Sequence, residues 1–258
     1  MSSLGRIWTI AANTVREAIR ARVLYTLLFF ALALIGTGTL LATLSYVERE
    51  RILQDVGFGA IRAFTVAIAI FVGIHLVHRE VDRRTIFTIL SKPIARSEFL
   101  LGKYVGLVVT LWLLIGVMGV GFAVISLLAD APLTMAHAAA IGLVGAEAAV
   151  LVAVALLFSA FTTPMLASLF SAGLWLIGHL SRDLRALGAQ SDSESMRSAT
   201  EALYRVLPDL SAFDLTGYAA RGLAIVSSDV LLPLLYAAGY TTLVLVAATW
   251  IFERRDFR

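Results

Sequence analysis

Long apolar runs separated by short polar segments make up most of this 258-residue chain. A run of about 20 apolar residues spans the hydrocarbon core of a bilayer as an α-helix. Several of the runs exceed that length, which predicts helices that tilt or extend beyond the hydrocarbon. The six candidate spans are Val23–Val47, Phe58–Val77, Leu100–Leu128, Ala138–Phe161, Pro164–Leu180 and Val230–Phe252. The pattern predicts an all-α, polytopic membrane protein forming a single domain over residues 1–258.

The segment before the first span, residues 4–22, has an amphipathic pattern. Ile7, Ala11 and Val15 recur at helical spacing, and Arg6 and Arg16 fall on the opposite face. Such a helix suits the inner membrane interface. The alternative is a helical extension of the first span into water.

The longest region without a span, residues 181–229, is also predicted to be helical in part. Apolar residues at helical spacing predict an amphipathic helix that begins at Ser195 and ends before Pro208. A second short amphipathic piece is predicted between Phe213 and Val226. The segment would form either an outer gate or a cap that seals the bundle, and it is the natural docking place for an extracytoplasmic partner.

Composition supports the membrane class. The chain is 59% hydrophobic with a mean hydropathy of +0.88, and 15% of its residues are charged, against about 25% in a typical soluble domain. The net charge of +3 reflects where Lys and Arg lie relative to the membrane, so no nucleic-acid partner is predicted. With no cysteine in the sequence, disulfides and thiolate metal sites are excluded.

The positive charges predict the orientation. Three segments together contain most of the Lys and Arg residues: the one before span one, the one between spans two and three, and the one after span six. The remaining segments contain fewer, and Arg62 is counted among these outer residues. The N- and C-termini are therefore predicted to be cytoplasmic, in a bacterial-type inner membrane.

Residues 79–98, between spans two and three, form a charged segment with a break in the middle. Val81–Leu90 has a helical pattern, and the proline of Ser91-Lys92-Pro93 ends it. Ser97 is predicted to cap the next helix, with Glu98 near its positive end. Apolar side chains on such a short polar helix suit either a protein docking surface or a loop packed on the membrane.

The sequence REVDRRTIFTILSKPIARSEFLLGKYVG resembles the signature of the type 2 ABC transporter permease family. The similar features are an acidic-basic start, a threonine-led apolar helix, a Lys-Pro turn, Arg-Ser-Glu-Phe, and Gly-Lys-Tyr entering span three. The outer motifs Leu207-Pro208-Asp209-Leu210 and Phe213-Asp214 and a basic tail are also similar to the family. The nearest subgroup is the one that includes the copper-loading permease of nitrous oxide reductase maturation.

The resemblance implies a non-enzymatic subunit that forms half of an export path and couples to a cytoplasmic ABC ATPase dimer. A second permease copy or a related permease would complete the path in the membrane lipid. The coupling residues would be Glu80, Asp82, Arg83, Arg84, Thr85, Ile86, Phe87, Leu90, Ser91, Lys92 and Pro93, with a minor second contact at Thr162 and Thr163. The sequence contains no P-loop motif, so ATP and Mg²⁺ would be bound by the partner ATPase.

Within the spans, Glu147 is the one acidic residue far from either end. Ionisable residues at that depth are costly and usually functional. Glu147 would lie on the transport path as a cation- or proton-handling group, or it would be a protonated side chain bonded to a neighbouring helix. Gly102 and Gly106 belong to a stripe of small residues that predicts close helix packing. His179 is predicted to belong to an interfacial anchor.

Two other classes of membrane protein, an intramembrane enzyme and an ATP-independent transporter or channel, fit the sequence less well. A rhomboid-type protease would need a Gly-x-Ser nucleophile, but Leu169 stands two residues before Ser171. His75 and His78 lie close enough on one helix to share a metal, but the sequence offers no convincing further ligand, so no metal site is predicted. An ATP-independent secondary transporter or channel is the alternative function, although it would leave the charged segment without a role.

Overall fold

The computed structural model describes residues 2–43, 48–82, 95–191 and 193–254, without the side chains of residues 76–82 and 206. All regular secondary structure in these ranges is helical. The α-helices are α1 Ser3–Ile19, α2 Arg22–Ala42, α3 Arg49–Asp82, α4 Arg96–Leu128, α5 Met135–Ser159, α6 Pro164–Ala189, α7 Glu194–Val206, α8 Thr216–Ala220 and α9 Ser227–Arg254, and a 3-10 turn covers Leu210–Phe213.

The six predicted spans are confirmed as helices in the described residues, and the predicted end of the first span, residues 44–47, lies outside them. Six of the described helices, α2 to α6 and α9, are long and apolar enough to cross a membrane. Two of them, α3 and α6, extend by two turns or more beyond their apolar runs. Helix α3 begins at Arg49, where Leu53 on its first turns is buried, and α6 continues past the apolar run to Ala189.

Helix α5 is the centre of the bundle. It packs against α3, α4, α6 and α9, and Ala148, Leu151 and Ala153 on its surface are almost completely buried. Its many alanines and glycines let the surrounding helices approach closely. A side chain on α5 therefore faces protein rather than lipid on nearly every side, and this is the helix that carries Glu147.

Helix α1 packs along the first half of α4. A Cβ at Gly102 would lie 2.7 Å from Ile10 Cβ, and one at Gly106 would lie 2.7 Å from the carbonyl oxygen of Ala11. The predicted small-residue stripe thus does bring two helix backbones together, and its partner at these two positions is α1. An ion pair between Arg6 and Glu98, 2.6 Å long, joins the same two helices.

The start of α4 differs from the prediction. The capping residue is Ala95, and α4 begins at Arg96, so the prediction of a cap at Ser97 is wrong. Instead, the Glu98 carboxylate accepts a hydrogen bond of 3.2 Å from the Ala95 backbone N–H. Glu98 can satisfy this exposed donor from the third helical position, which makes a serine hydroxyl unnecessary. The predicted coupling helix lies outside the described residues for most of its length, beyond the end of α3 at Asp82.

The outer segment folds into the bundle. The predicted amphipathic helix is confirmed as α7, which Ser193 precedes and which ends before Leu207. The single piece predicted from Phe213 to Val226 is wrong, because this stretch divides into the 3-10 turn, α8 and a turn at Gly222 with φ +64°. Leu210 and Phe213 are completely buried within the same hydrophobic core as α5. The segment is therefore anchored between the spans as well as lying over them.

Candidate functional site: a buried charge cluster

Helices α3, α5 and α6 meet the outer segment at a cluster of polar side chains. The cluster comprises Arg62, Glu147, Trp175, His179 and Asp214. At a rise of 1.5 Å per residue, Glu147 lies roughly 18 Å along α5 from its first residue. Glu147 is thus deep in the bundle, where an unpaired charge is costly.

Glu147 is held at both carboxylate oxygens. Trp175 on α6 donates its indole N–H to Oε1 at 2.8 Å, and Arg62 on α3 donates Nε–H to Oε2 at 3.2 Å. Its side chain is 1% exposed. Both partners can only donate, so both carboxylate oxygens act as acceptors. Glu147 does bond neighbouring helices, as one of the two sequence hypotheses had it, but its partners are two donors, one of them a cation on α3, and neither contact calls for the protonated carboxyl of that hypothesis.

Arg62 connects three elements through one guanidinium group. Beyond its contact with Glu147, it reaches Asp214 Oδ2 through one terminal nitrogen and His179 Nε2 through the other. The assignment of Arg62 to the outer segments is wrong, because Arg62 lies within the candidate span Arg49–His75, and its side chain is only 14% exposed. The sequence does contain evidence that Arg62 belongs to a span, since Arg62 lies inside the apolar run that begins at Phe58.

The contacts of His179 define its tautomer. Nδ1 lies 3.2 Å from the backbone carbonyl of Trp175, and a carbonyl can only accept, so Nδ1 carries the proton. Nε2 faces the Arg62 guanidinium, which can only donate, and lies farther from Glu147 Oε1, at 3.7 Å, so the nearer contact favours a lone pair on Nε2. A neutral imidazole satisfies both contacts. His179 is therefore an acceptor for Arg62, and it belongs to the buried cluster rather than to an interfacial anchor.

Asp214 closes the cluster from the outer segment. Its Oδ1 accepts hydrogen bonds from the Thr216 hydroxyl at 2.6 Å and the Thr216 backbone N–H at 3.1 Å. Partial burial acts to raise the pKa of this carboxyl, but Arg62 and the Thr216 bonds outweigh it, so the pKa lies below its ordinary value. Asp214 is thus held as an anion, and it is the member of the cluster that lies outside the spans.

Gly178 allows the outer segment to reach this depth. A Cβ there would lie 2.9 Å from both the Pro208 carbonyl oxygen and Leu210 Cγ, closer than real Cβ atoms come. The glycine next to His179 therefore provides the space in which the Leu207-Pro208-Asp209-Leu210 motif packs on α6. Sequence reasoning noted that motif but not its partner.

A further polar layer lies one helical turn from the cluster. The hydroxyls of Thr65 on α3 and Ser171 on α6 are completely buried, and neither has a hydrogen-bond partner among the described residues. Thr65 follows Arg62 by three residues and Ser171 precedes Trp175 by four, so each shares a helix face with its cluster neighbour. The interface of these helices therefore has unused hydrogen-bonding capacity beside Glu147.

The other predicted site residues are located only in part. Glu80 and Asp82 lie on α3, and the coupling residues from Arg83 to Pro93 lie outside the described residues. Thr162 and Thr163 form the turn between α5 and α6, where Thr162 donates to the Phe158 carbonyl at 2.8 Å. No group of three or more potential metal-ligating residues occurs in the described parts of the chain.

This architecture defines a polytopic membrane protein whose spans enclose a buried charge cluster closed by an outer segment. Comparison with protein families then gives the particular family: residues 8–257 match the model of the ABC-2 family transporter proteins. The match covers nearly the whole chain, so the protein belongs to this family. No match was found among curated proteins.

Family membership decides between the functional classes left open by the sequence. The chain is a permease, the non-catalytic membrane subunit of an ABC transporter, and its transporter pairs it with ATPase subunits that handle ATP. It is a multi-pass protein with six candidate spans. The ATP-independent secondary transporter or channel is therefore set aside.

Proposed function

We propose that this permease forms half of the path of an ATP-driven exporter in a bacterial-type inner membrane, with both termini cytoplasmic. A second copy or a related permease would supply the other half, and a dimer of ATPase subunits would bind on the cytoplasmic side. The observation that carries this proposal is the family match over residues 8–257. Within the family, membership of the subgroup that includes the copper-loading permease is part of the same proposal.

The proposed ATPase contact is the segment 79–98, with Thr162 and Thr163 as a minor second contact. Support for it comes from the family-like motif and from the position of the segment between two spans. Its C-terminal end is well anchored in the bundle. Arg96, the first residue of α4, donates to the backbone carbonyls of Phe252 and Glu253 at 3.2 and 3.0 Å, and Glu98 is paired with α1. Movement of the segment would be transmitted to α4, α1 and α9 together.

The proposed path follows the interface of α3, α5 and α6. Glu147 and the unpartnered hydroxyls of Thr65 and Ser171 lie there, and a packed apolar interface would not need them. The link between Arg62 and Asp214 would be its outer closure, because Asp214 belongs to the outer segment and Arg62 to a span. Release of cargo would separate these two side chains.

The ATPase contact is tested by co-purification of the permease in detergent with the ATPase encoded beside it. Wild type and Phe87→Leu should retain the ATPase, because both present an apolar side chain at this position. Phe87→Asp should lose it, because a carboxylate would be buried at the contact without a partner. Failure of wild type to bind any ATPase would contradict the proposed function. Equal retention by all three proteins would contradict the coupling role of Phe87.

The path is tested with single cysteines in this otherwise cysteine-free chain. Ser171→Cys should be unreactive towards a soluble maleimide at rest and reactive while the assembled transporter hydrolyses ATP. Ser126→Cys is the matched control, because Ser126 is equally buried and also has no hydrogen-bond partner in the described part of the chain, but it lies on α4 and is not a member of the cluster. Reaction at both positions, or at neither, during turnover would argue against this path.

A further inference from the structure

A cavity of about 500 Å³ lies beside the cluster. It is enclosed by the outer segment, including α7, and by the first turns of α9. Asp214 belongs to both features, because it lines the cavity and also contacts Arg62. The cavity is therefore adjacent to the proposed outer closure of the path. Apart from the shared Asp214, the polar lining of the cavity consists mainly of aromatic and acidic side chains that are not members of the cluster.

Three tyrosines line the cavity: Tyr204 on α7, Tyr218 on α8 and Tyr236 on α9. The face of an aromatic ring attracts cations, and several rings around one space form the usual recognition site for organic ammonium groups. Tyr204 already has such a partner, since the Arg185 guanidinium lies 4.5 Å from its ring centroid, so a ligand would depend mainly on Tyr218 and Tyr236. The Tyr236 hydroxyl is held in place by accepting a hydrogen bond from the Asp209 backbone N–H at 3.0 Å.

The charges around the cavity favour the same class of ligand. Asp209, Asp214 and Asp229 line it. Arg182, the only basic residue among its described lining residues, is paired with Asp209 at 2.7 Å. Arg62 is shared between Asp214 and Glu147. Three carboxylates and one guanidinium group thus line the cavity, and the surplus negative charge of the lining disfavours an anionic ligand.

Asp229 supplies the carboxylate that is most available to a ligand. It is exposed and accepts a hydrogen bond of 3.1 Å from the Val226 backbone N–H. No cation lies within ion-pairing distance of it among the described residues. A bound ammonium group could therefore pair with Asp229 without breaking an existing salt bridge.

We propose that this cavity is a binding site for an organic ammonium cation with small apolar substituents, placed between Asp229 and the tyrosine rings. This proposal assigns a chemical class to the cargo that reaches the outer closure. The role of the cavity as a cargo site rests on the proposed function. Leu215 and Leu232, which also line the cavity, would contact the apolar substituents. A cation here would also attract Asp214 and weaken its hold on Arg62, which would favour opening of the closure.

The test uses the full-length permease in an uncharged detergent, without any ATPase, so that its result does not depend on the ATPase assembly. Choline is the probe, and 3,3-dimethylbutan-1-ol, which has the same shape without the charge, is its control. Saturation-transfer NMR titrations give the Kd of each. Choline should bind at least about tenfold more tightly than the neutral alcohol, because the alcohol gains neither ion pairing nor the cation–π interaction.

Two pairs of variants locate the site. Asp229→Asn should weaken choline binding about three- to tenfold, and its amide oxygen can still accept the hydrogen bond from Val226. The control, Asp183→Asn, should not weaken binding, because Asp183 is an exposed aspartate on α6 that does not line the cavity. Tyr218→Leu should weaken binding about three- to tenfold, whereas Tyr218→Phe keeps the ring and should bind as wild type does. Wild-type behaviour of Asp229→Asn and Tyr218→Leu would overturn the assignment, as would equal binding of choline and the alcohol.

The cation could come from a lipid headgroup or from a free solute, and the source is distinguished in nanodiscs. If phosphatidylcholine headgroups reach the site, choline binding should be lost in phosphatidylcholine discs and kept in phosphatidylglycerol discs. Binding that is equal in both discs assigns the site to a free cation. No choline binding in either disc or in detergent would overturn the proposal and leave the ATPase assembly test unaffected.

Discussion

At the scale of single residues, Arg62 is the key group of the cluster. One guanidinium joins α3 to Glu147 on α5, to His179 on α6 and to Asp214 on the outer segment. The fixed fork of an arginine suits such a junction, because its donors point in different directions and it remains charged. Since the charges are buried, removing one partner costs more than the pair itself contributes.

Substitution of Arg62 by Met should therefore destabilise the protein by about 3–5 kcal/mol, because Glu147 is left buried without its cation. The double variant Arg62→Met with Glu147→Gln should recover a large part of that loss, since it removes both charges. Thermal unfolding in detergent, followed by tryptophan fluorescence, measures the cycle.

The matched control for this cycle is Arg51→Met on the same helix. Arg51 is 44% exposed and pairs with Glu48 and Asp55, which are also exposed, so its loss should cost under about 1 kcal/mol. A loss at position 62 no greater than that at position 51 would show that the cluster contributes little to stability.

The lowered pKa of Asp214 predicts a dependence of stability on pH. Because its pKa in the folded protein lies below the unfolded value, the carboxylate stabilises the fold above the unfolded pKa, and that contribution is lost as pH falls through the folded pKa. The stability difference between wild type and Asp214→Asn should thus be full at pH 7 and shrink below the ordinary aspartate value of 3.8. Unfolding temperatures at pH 7 and below pH 4 measure it, with Asp183→Asn as the control. A difference that does not change with pH would contradict the role of the Asp214 charge.

At the scale of elements, the packing of α1 on α4 links the N-terminal helix to the end of the proposed coupling segment. Gly102 and Gly106 set the separation of the two helices, and Lys103 between them is buried and lies 3.5 Å from Glu17 of α1. The exposed Leu4 and Trp8 on α1 suit the predicted membrane interface. Helix α1 would then move with α4 as one unit.

Gly106→Ala should destabilise the protein, because the new Cβ would lie 2.6 Å from Thr14 Cβ and 2.7 Å from the Ala11 carbonyl oxygen. Gly116→Ala on the same helix has nothing within 4 Å and should be neutral or stabilising by up to about 1 kcal/mol, the gain expected for alanine in a helix. Thermal unfolding compares the two. Changes of the same sign and size would mean that α1 does not depend on close packing at Gly106.

At the scale of the whole molecule, a buried central helix, α5, packs against four of the other spans, and the outer segment is inserted at one end. In the proposed orientation, which rests on the distribution of Lys and Arg, that end would lie outside the cytoplasm. The orientation therefore determines which side of the membrane the cluster and the cavity face. In the proposed exporter they lie where cargo leaves.

Single-cysteine labelling in intact cells tests this orientation, since the chain has no cysteine of its own. Ser195→Cys, on the exposed surface of α7, should react with a membrane-impermeant maleimide. Ser3→Cys, exposed at the start of α1, should react only after the cells are permeabilised. The reverse pattern would invert the topology and place the cavity on the cytoplasmic side.

The sequence alone was sufficient for the spans, for α7 and for the family. A membrane helix must satisfy its backbone hydrogen bonds within itself and match the bilayer thickness, so its apolar run is visible locally. Helix α7 was predicted from its amphipathic period, and the family motif is a contiguous stretch. Glu147 was also recognised, because a carboxylate within an apolar run is conspicuous.

The cluster around Glu147 depended on tertiary structure. Arg62 and Asp214 are 152 positions apart, and whether they meet depends on how α3 is rotated and how deeply the outer segment inserts. Helical period shows which residues share a face but not which face meets which helix. Gly178 decides the insertion, because the Pro208 backbone can approach α6 only where no Cβ intervenes. The sequence alone therefore determined the elements and the family, and packing decided which charges are partners.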